Sequence, residues 1–120
     1  SEINWKKYDF FLFTSICESY GNTLNEAISQ ELPIVGFQSQ ANNKNFIART
    51  ATSEILGEGY KRFNLLSSNL NTSSLYNCLV NAMNIKKNNQ YNLLLDYLKI
   101  KKQDIVNVND YVLNIINMNF

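Results

Sequence analysis

Glu18 and Glu26 have seven residues between them and stand on either side of the turn Tyr20-Gly21-Asn22-Thr23. Each carboxylate can accept hydrogen bonds from two neighbouring hydroxyls. The turn offers something different. Where such a turn opens a helix, its free backbone N–H groups and the positive end of the helix dipole make a site for an anion. Gly21 suits that use, since backbone without a Cβ can approach a phosphate closely. The same residues also have a plain structural use. Thr23-Leu24-Asn25-Glu26 has the Thr-x-x-Glu form of a capping box, with Thr23 at N-cap and Glu26 at N3. Glu18 would then be a solvated loop carboxylate, as most glutamates are.

The elements around these residues follow from patterning. Phe10-Phe11-Leu12-Phe13 is a continuous apolar run, which predicts a parallel strand over Asp9 to Thr14 covered on both faces. Ser15, Glu18, Ser19, Gly21, Asn22 and Thr23 follow as turn and cap residues. They lie beyond the carboxyl end of that strand, where an open α/β sheet holds its ligands. From Leu24 the apolar spacing becomes helical, with Leu24, Ala27, Ile28 and Leu32 on one face, and Pro33 stops the helix. Ile34-Val35-Gly36-Phe37 reads as a second short strand. Strand, helix and strand in this compass make a βαβ unit with the usual right-handed crossover.

Residues 8 to about 40 resemble the nucleotide-sugar half of the group-one (family four) glycosyltransferases, whose GT-B architecture sets two Rossmann-like domains across a cleft. The family signature is Glu, seven residues, Glu-Ala, and a few residues on a Pro-(Ile/Val)-Val strand. Here it reads Glu18 to Glu26-Ala27, then Leu32-Pro33-Ile34-Val35, with Phe13-Thr14-Ser15 in place of the family's Pro-Ser strand end. The resemblance implies a retaining hexosyltransferase of glycan or polysaccharide biosynthesis, of bacterial type. Its donor would be a UDP- or GDP-sugar and its acceptor a glycan or a lipid-linked sugar. By position, Glu26 would bind the ribose hydroxyls and Glu18 the transferred sugar, as the catalytic carboxylate. Tyr20, Gly21, Asn22 and Thr23 would meet the donor diphosphate. Departures from the pattern are Thr14 for proline, Glu31 for glycine, and Gln40-Ala41-Asn42-Asn43 where a Gly-Gly turn is usual. They motivate the rival reading, a non-catalytic binding or assembly module on the same scaffold.

Composition narrows the alternatives. The 120 residues suffice for one domain, and 45% hydrophobic with 12% aromatic residues can fill a core. A net charge of +1 gives no electrostatic case for nucleic acid. No apolar run approaches the roughly 20 residues of a membrane span, and no signal peptide is legible. The cytoplasm is the expected compartment, with peripheral association at the inner membrane face open to a full-length enzyme. Without histidine, Cys/His zinc sites and His-based triads are excluded. Neither a metal nor another cofactor is implied, there being no Asp-x-Asp. Cys17 and Cys78 are expected to be reduced, Cys17 as a small packing residue. Asparagine makes up about one residue in six but is spread along the chain, which argues against a prion-like tract.

The remaining elements are expected as follows. Ser1 to Lys7 ends a preceding helix or turn. A helix spans about Asn43 to Thr50, loop covers Ser53 to Gly59, and a third strand runs from Lys61 to Leu66. Asn71 or Thr72 caps a helix bearing Leu75, Leu79, Ala82 and Met83, which Lys86-Lys87-Asn88-Asn89 breaks. Two tail helices follow, Gln90 to Lys99 and Gln103 to Met118. Lys86, Lys87, Lys99, Lys101 and Lys102 read as a solvated face, and Tyr8, Phe10, Phe11 and Phe13 as core. The fold class is thus α/β, a partial Rossmann-like domain with three parallel strands, flanking helices and a helical tail. On the resemblance, residues 1–120 are the C-terminal portion of the donor domain, without its first half or the acceptor domain. Such a portion would transfer no sugar alone and could dimerise through its exposed first strand.

Overall fold

The computed structural model describes residues 4–17 and 22–119. Three parallel strands, β1 (Phe11–Phe13), β2 (Ile34–Asn42) and β3 (Leu66–Asn69), form one sheet in the order β1-β2-β3. Helices α1 (Asn22–Ser29), α2 (Thr52–Leu56), α3 (Thr72–Lys87) and α4 (Tyr91–Asn119) flank it. The α/β class and the three parallel strands agree with expectation and are compatible with a partial Rossmann-like fold.

β2 is the central strand. Ile34 and Val35 point to opposite faces and both are fully buried, so helices cover the sheet on each side at this level. β1 is different. It lies at one edge among the described residues, and Leu12 is 46% exposed, so the expectation of cover on both faces fails there. Tyr8 is exposed as well, outside the core that Phe10 and Phe11 flank and Phe13 enters. Phe13 stands opposite Gly36 in the β1–β2 register. A Cβ on Gly36 would lie 2.0 Å from the Phe13 carbonyl oxygen, so the close approach of these strands requires glycine.

α1 buries the expected stripe, Leu24, Ala27 and Ile28, with Leu32 just beyond it. Its end is a Schellman motif: the Leu32 N–H donates to the Ala27 carbonyl at 3.0 Å and the Glu31 N–H to that of Ile28 at 2.9 Å. Glu31 takes the left-handed conformation, φ 57°, that glycine would fill more easily. Pro33 then follows where proline commonly does, just after the cap. The start of α1 differs from the reading above. Thr23 lies inside the helix, after Asn22, and so is not its N-cap.

Downstream, local side chains override the simple pattern. Instead of the helix expected at 43–50, β2 runs on to Asn42 and the chain folds back on itself, with an antiparallel bridge between Asn42 and Ile47. The cause is Asn43, whose side-chain oxygen accepts from the Asn45 and Phe46 N–H groups, both at 2.8 Å, and competes with helical bonding. Residues expected as loop form α2, and Glu58–Phe63 form a 3-10 helix in place of the third strand. Asn64 turns left-handed at φ 54°, and β3 starts only at Leu66. Buried Ser67 makes this polar stretch fit a sheet, its hydroxyl donating to the Asn69 carbonyl at 2.8 Å.

α3 begins as expected at the Asn71 cap, whose side chain accepts from the Ser74 N–H at 2.8 Å. It ends where Asn89, φ 61°, lets Gln90 bond back to the Ile85 carbonyl at 3.0 Å. Met83 faces solvent, and Cys78, Ala82 and Ile85 form the buried face instead. The two tail helices are one, α4, because the lysine-rich join contains neither glycine nor proline and lysine is a good helix former. Those lysines do more than face water. Lys86 pairs with Asp9 at 3.0 Å and lies 4.1 Å from the Tyr91 ring centroid, while Lys102 reaches Glu31 at 3.4 Å.

Candidate functional site

The carboxyl end of the sheet is where the βαβ unit would present a ligand. Cys17, four residues past β1, forms a parallel bridge with Arg49, and the Arg49 N–H donates to the Ile16 carbonyl at 2.8 Å. Residues 47–51 are thereby drawn across the end of β1. Behind them, β2 and α2 are joined by a reciprocal serine pair. Buried Ser39 donates its N–H to the Ser53 hydroxyl at 2.9 Å, and the Ser53 N–H donates to the Ser39 hydroxyl at 2.8 Å. The Ser39 hydroxyl in turn donates to Glu54 Oε1 at 2.6 Å.

These contacts border an open cleft of about 790 Å³ whose walls include Cys17, Ser39, Arg49, Thr50 and Glu54. Arg49 and Glu54 are both exposed, and no ion pair among the described residues joins them to each other or to another side chain. A smaller apolar pocket of about 340 Å³ adjoins the ends of all three strands, between Thr14, Phe37, Phe46, Leu70 and Leu75. A third hollow, of about 460 Å³, lies toward the amino end of β3. Two of its polar side chains, Arg62 and Asn81, are already engaged. Arg62 lies 4.8 Å from the Phe63 ring centroid, and the Asn81 amide donates to the Phe63 and Asn64 carbonyls at 2.6 and 3.1 Å.

Comparison with protein-family models, curated proteins and solved structures gave no match.

The residues singled out from sequence fall into two groups. Glu18, Tyr20 and Gly21 lie outside the described residues. Asn22 is the first residue of α1, and Thr23 and Glu26 follow on its exposed side, one turn apart. The Glu26 carboxylate has no hydrogen bond or ion pair among the described residues, while its backbone carbonyl accepts from the Ser29 hydroxyl at 2.7 Å and from the Gln30 N–H at 3.1 Å. Neither Thr23 nor Glu26 lines the larger cleft. Cys17 does, and it is exposed, so it is not the packing residue expected. Cys78 fills that role: it is buried among the core residues, and burial pushes its thiol pKa up.

Arg49, Glu54 and Ser39 are the residues that sequence reading missed. Their placement depends on the fold-back after β2 and on a bridge between segments far apart in sequence. The one local signal is the alternation Ile47-Ala48-Arg49, with exposed, buried and exposed side chains. Among the described residues, no cluster of His, Cys, Asp or Glu could hold a metal. Nor, among the described residues, is any helix long and apolar enough to cross a membrane.

Proposed function

We propose that this chain is the donor-binding part of a retaining, GT-B type glycosyltransferase that takes a nucleotide-diphosphate sugar. The observation that carries the reading is the unit β1–α1–β2. It has parallel strands, an open cleft at their carboxyl end, and an α1 surface on which Glu26 has no protein partner among the described residues. Glu26 would accept from the ribose hydroxyls, which suits a carboxylate with both oxygens available. The amino end of α1, with Asn22, Thr23 and the preceding Tyr20-Gly21, would face the diphosphate. Glu18 would contact the transferred sugar. The pocket beside Phe37 and Phe46 has room for the base. Stabilising the departing diphosphate by preorganised N–H groups is the kind of electrostatic effect that usually dominates such catalysis.

In an intact enzyme the sugar would pass to a glycan or lipid-linked acceptor. Glu18→Ala and Glu26→Ala, made there, test the reading. Loss of sugar transfer with the fold retained supports an enzyme. Unchanged transfer in both variants, or no transfer by the wild type from any UDP- or GDP-sugar, contradicts it. The departure at residues 40–43 favours the rival, a non-catalytic module on the same scaffold, because the fold-back there occupies the position of the family's Gly-Gly turn.

A further inference from the structure

We propose that Arg49 and Glu54 form a sugar-phosphate site, with Arg49 holding phosphate oxygens and the outer oxygen of Glu54 accepting from sugar hydroxyls. The site is local and built. Arg49 sits on a segment tied down on two sides, by its own N–H to Ile16 and by Ala48 N–H to the Ala41 carbonyl at 2.7 Å. Glu54 is tied by Ser39, which occupies Oε1 and leaves Oε2 without a protein donor among the described residues.

The two charges line one cleft and are not paired with each other. That combination selects a ligand. Arg49 opposes a bare divalent cation, and Glu54 opposes a ligand that is only anionic, such as a nucleic-acid backbone. A molecule with phosphate oxygens at one end and hydroxyl donors at the other satisfies both. The guanidinium can take two phosphate oxygens at once, and the carboxylate oxygen takes hydroxyls. Only the nucleotide attached to that sugar phosphate rests on the function proposed above.

The test is a titration of this chain with α-glucose 1-phosphate, UDP and UDP-glucose, following backbone amides and the Arg49 Nε–H resonance. Variants are Arg49→Gln, Arg49→Lys and Glu54→Gln. The last keeps a carbonyl acceptor for Ser39, and each amide spectrum reports on folding. The expected result is saturable shifts at Arg49 and at residues 51–54 with glucose 1-phosphate and UDP-glucose. Arg49→Gln then weakens binding about tenfold or more, and Arg49→Lys less. Glu54→Gln weakens the two glucose-bearing probes, glucose 1-phosphate and UDP-glucose, by a larger factor than UDP, whose only sugar hydroxyls are those of its ribose.

If nucleotide probes shift the start of α1 but Arg49→Gln binds them and the sugar phosphate as the wild type does, this site is overturned and the donor reading stands. If glucose 1-phosphate binds through Arg49 and the nucleotide adds nothing, the site stands and the donor reading loses its support. No saturable shift with any probe overturns the site.

Discussion

The Tyr60 hydroxyl makes two hydrogen bonds to one residue, donating to the Ile34 carbonyl at 2.6 Å and accepting from the Ile34 N–H at 2.8 Å. Ile34 opens β2, and the ladder to β3 begins only at Gly36. One side chain thus serves the strand edge where no neighbouring strand yet reaches. Tyr60 is fully buried, in ring contact with Phe63 and Tyr97. Tyr97 ties the same region to α4 by donating to the Leu56 carbonyl at 2.6 Å.

Tyr60→Phe leaves both Ile34 groups buried and unsatisfied. The expected cost is about 2–6 kcal/mol, since each such group costs about 1–3 kcal/mol. Urea denaturation should show a lower midpoint at unchanged slope.

Alkaline pH should destabilise the fold through its buried phenols. Burial, the largest cause, raises the pKa of Tyr60, Tyr91 and Tyr97 above the ordinary value near 10, and pushes Tyr91 up to about 12, with the Asp9 charge adding to it. The folded chain therefore keeps protons that the unfolded chain releases. Their contribution is complete below pH 10 and falls as pH rises, for Tyr91 between about 10 and 12. Thermal unfolding from pH 8 to 11 should show the midpoint drop beginning near 10, and Tyr91→Phe should make the drop shallower.

Glu31→Gly should stabilise the protein. Glu31 holds φ 57°, where a residue with a Cβ is strained by about 1–2 kcal/mol. The opposing loss is the Lys102 pair, 3.4 Å long and partly exposed, which contributes under about 1 kcal/mol. A net gain of up to about 1 kcal/mol is expected by chemical denaturation. Gly36→Ala is the opposite case. Its Cβ meets the Phe13 carbonyl oxygen, so it should cost at least about 1–3 kcal/mol and raise amide exchange along β1.

α4 should divide into two halves under substitution. Leu94 and Leu98 are fully buried, whereas Val112 and Ile116 are nearly half exposed. Leu98→Ala should cost about 2–5 kcal/mol. Val112→Ser and Ile116→Ser should each stay within about 0.5 kcal/mol of the wild type, by the same denaturation assay.

The parts of the fold legible in the sequence are those where pattern and local chemistry agree. Leu24, Ala27 and Ile28 announce α1, Pro33 its end, Ile34-Val35 the central strand, and Asn71 the start of α3. The rest turned on side chains acting against the pattern. Asn43 satisfies its own turn and removes a helix, Asn64 accepts a left-handed backbone, and Tyr60 hides at the join between what read as a loop and what read as a strand. On α1, Glu26 was legible as a first-turn helix residue, whereas Thr23 reads as the N-cap and lies inside the helix instead. The cleft was not, because Arg49 reaches the end of β1 only through its bridge to Cys17.

Binding of a donor nucleotide at the start of α1 is read out by titrating the isotopically labelled chain with UDP, GDP and ADP. Saturable amide shifts from Asn22 to Glu26 are expected, stronger for one base than for the others and weakened by Glu26→Ala. A folded spectrum in which those amides stay still for all three nucleotides would contradict such binding.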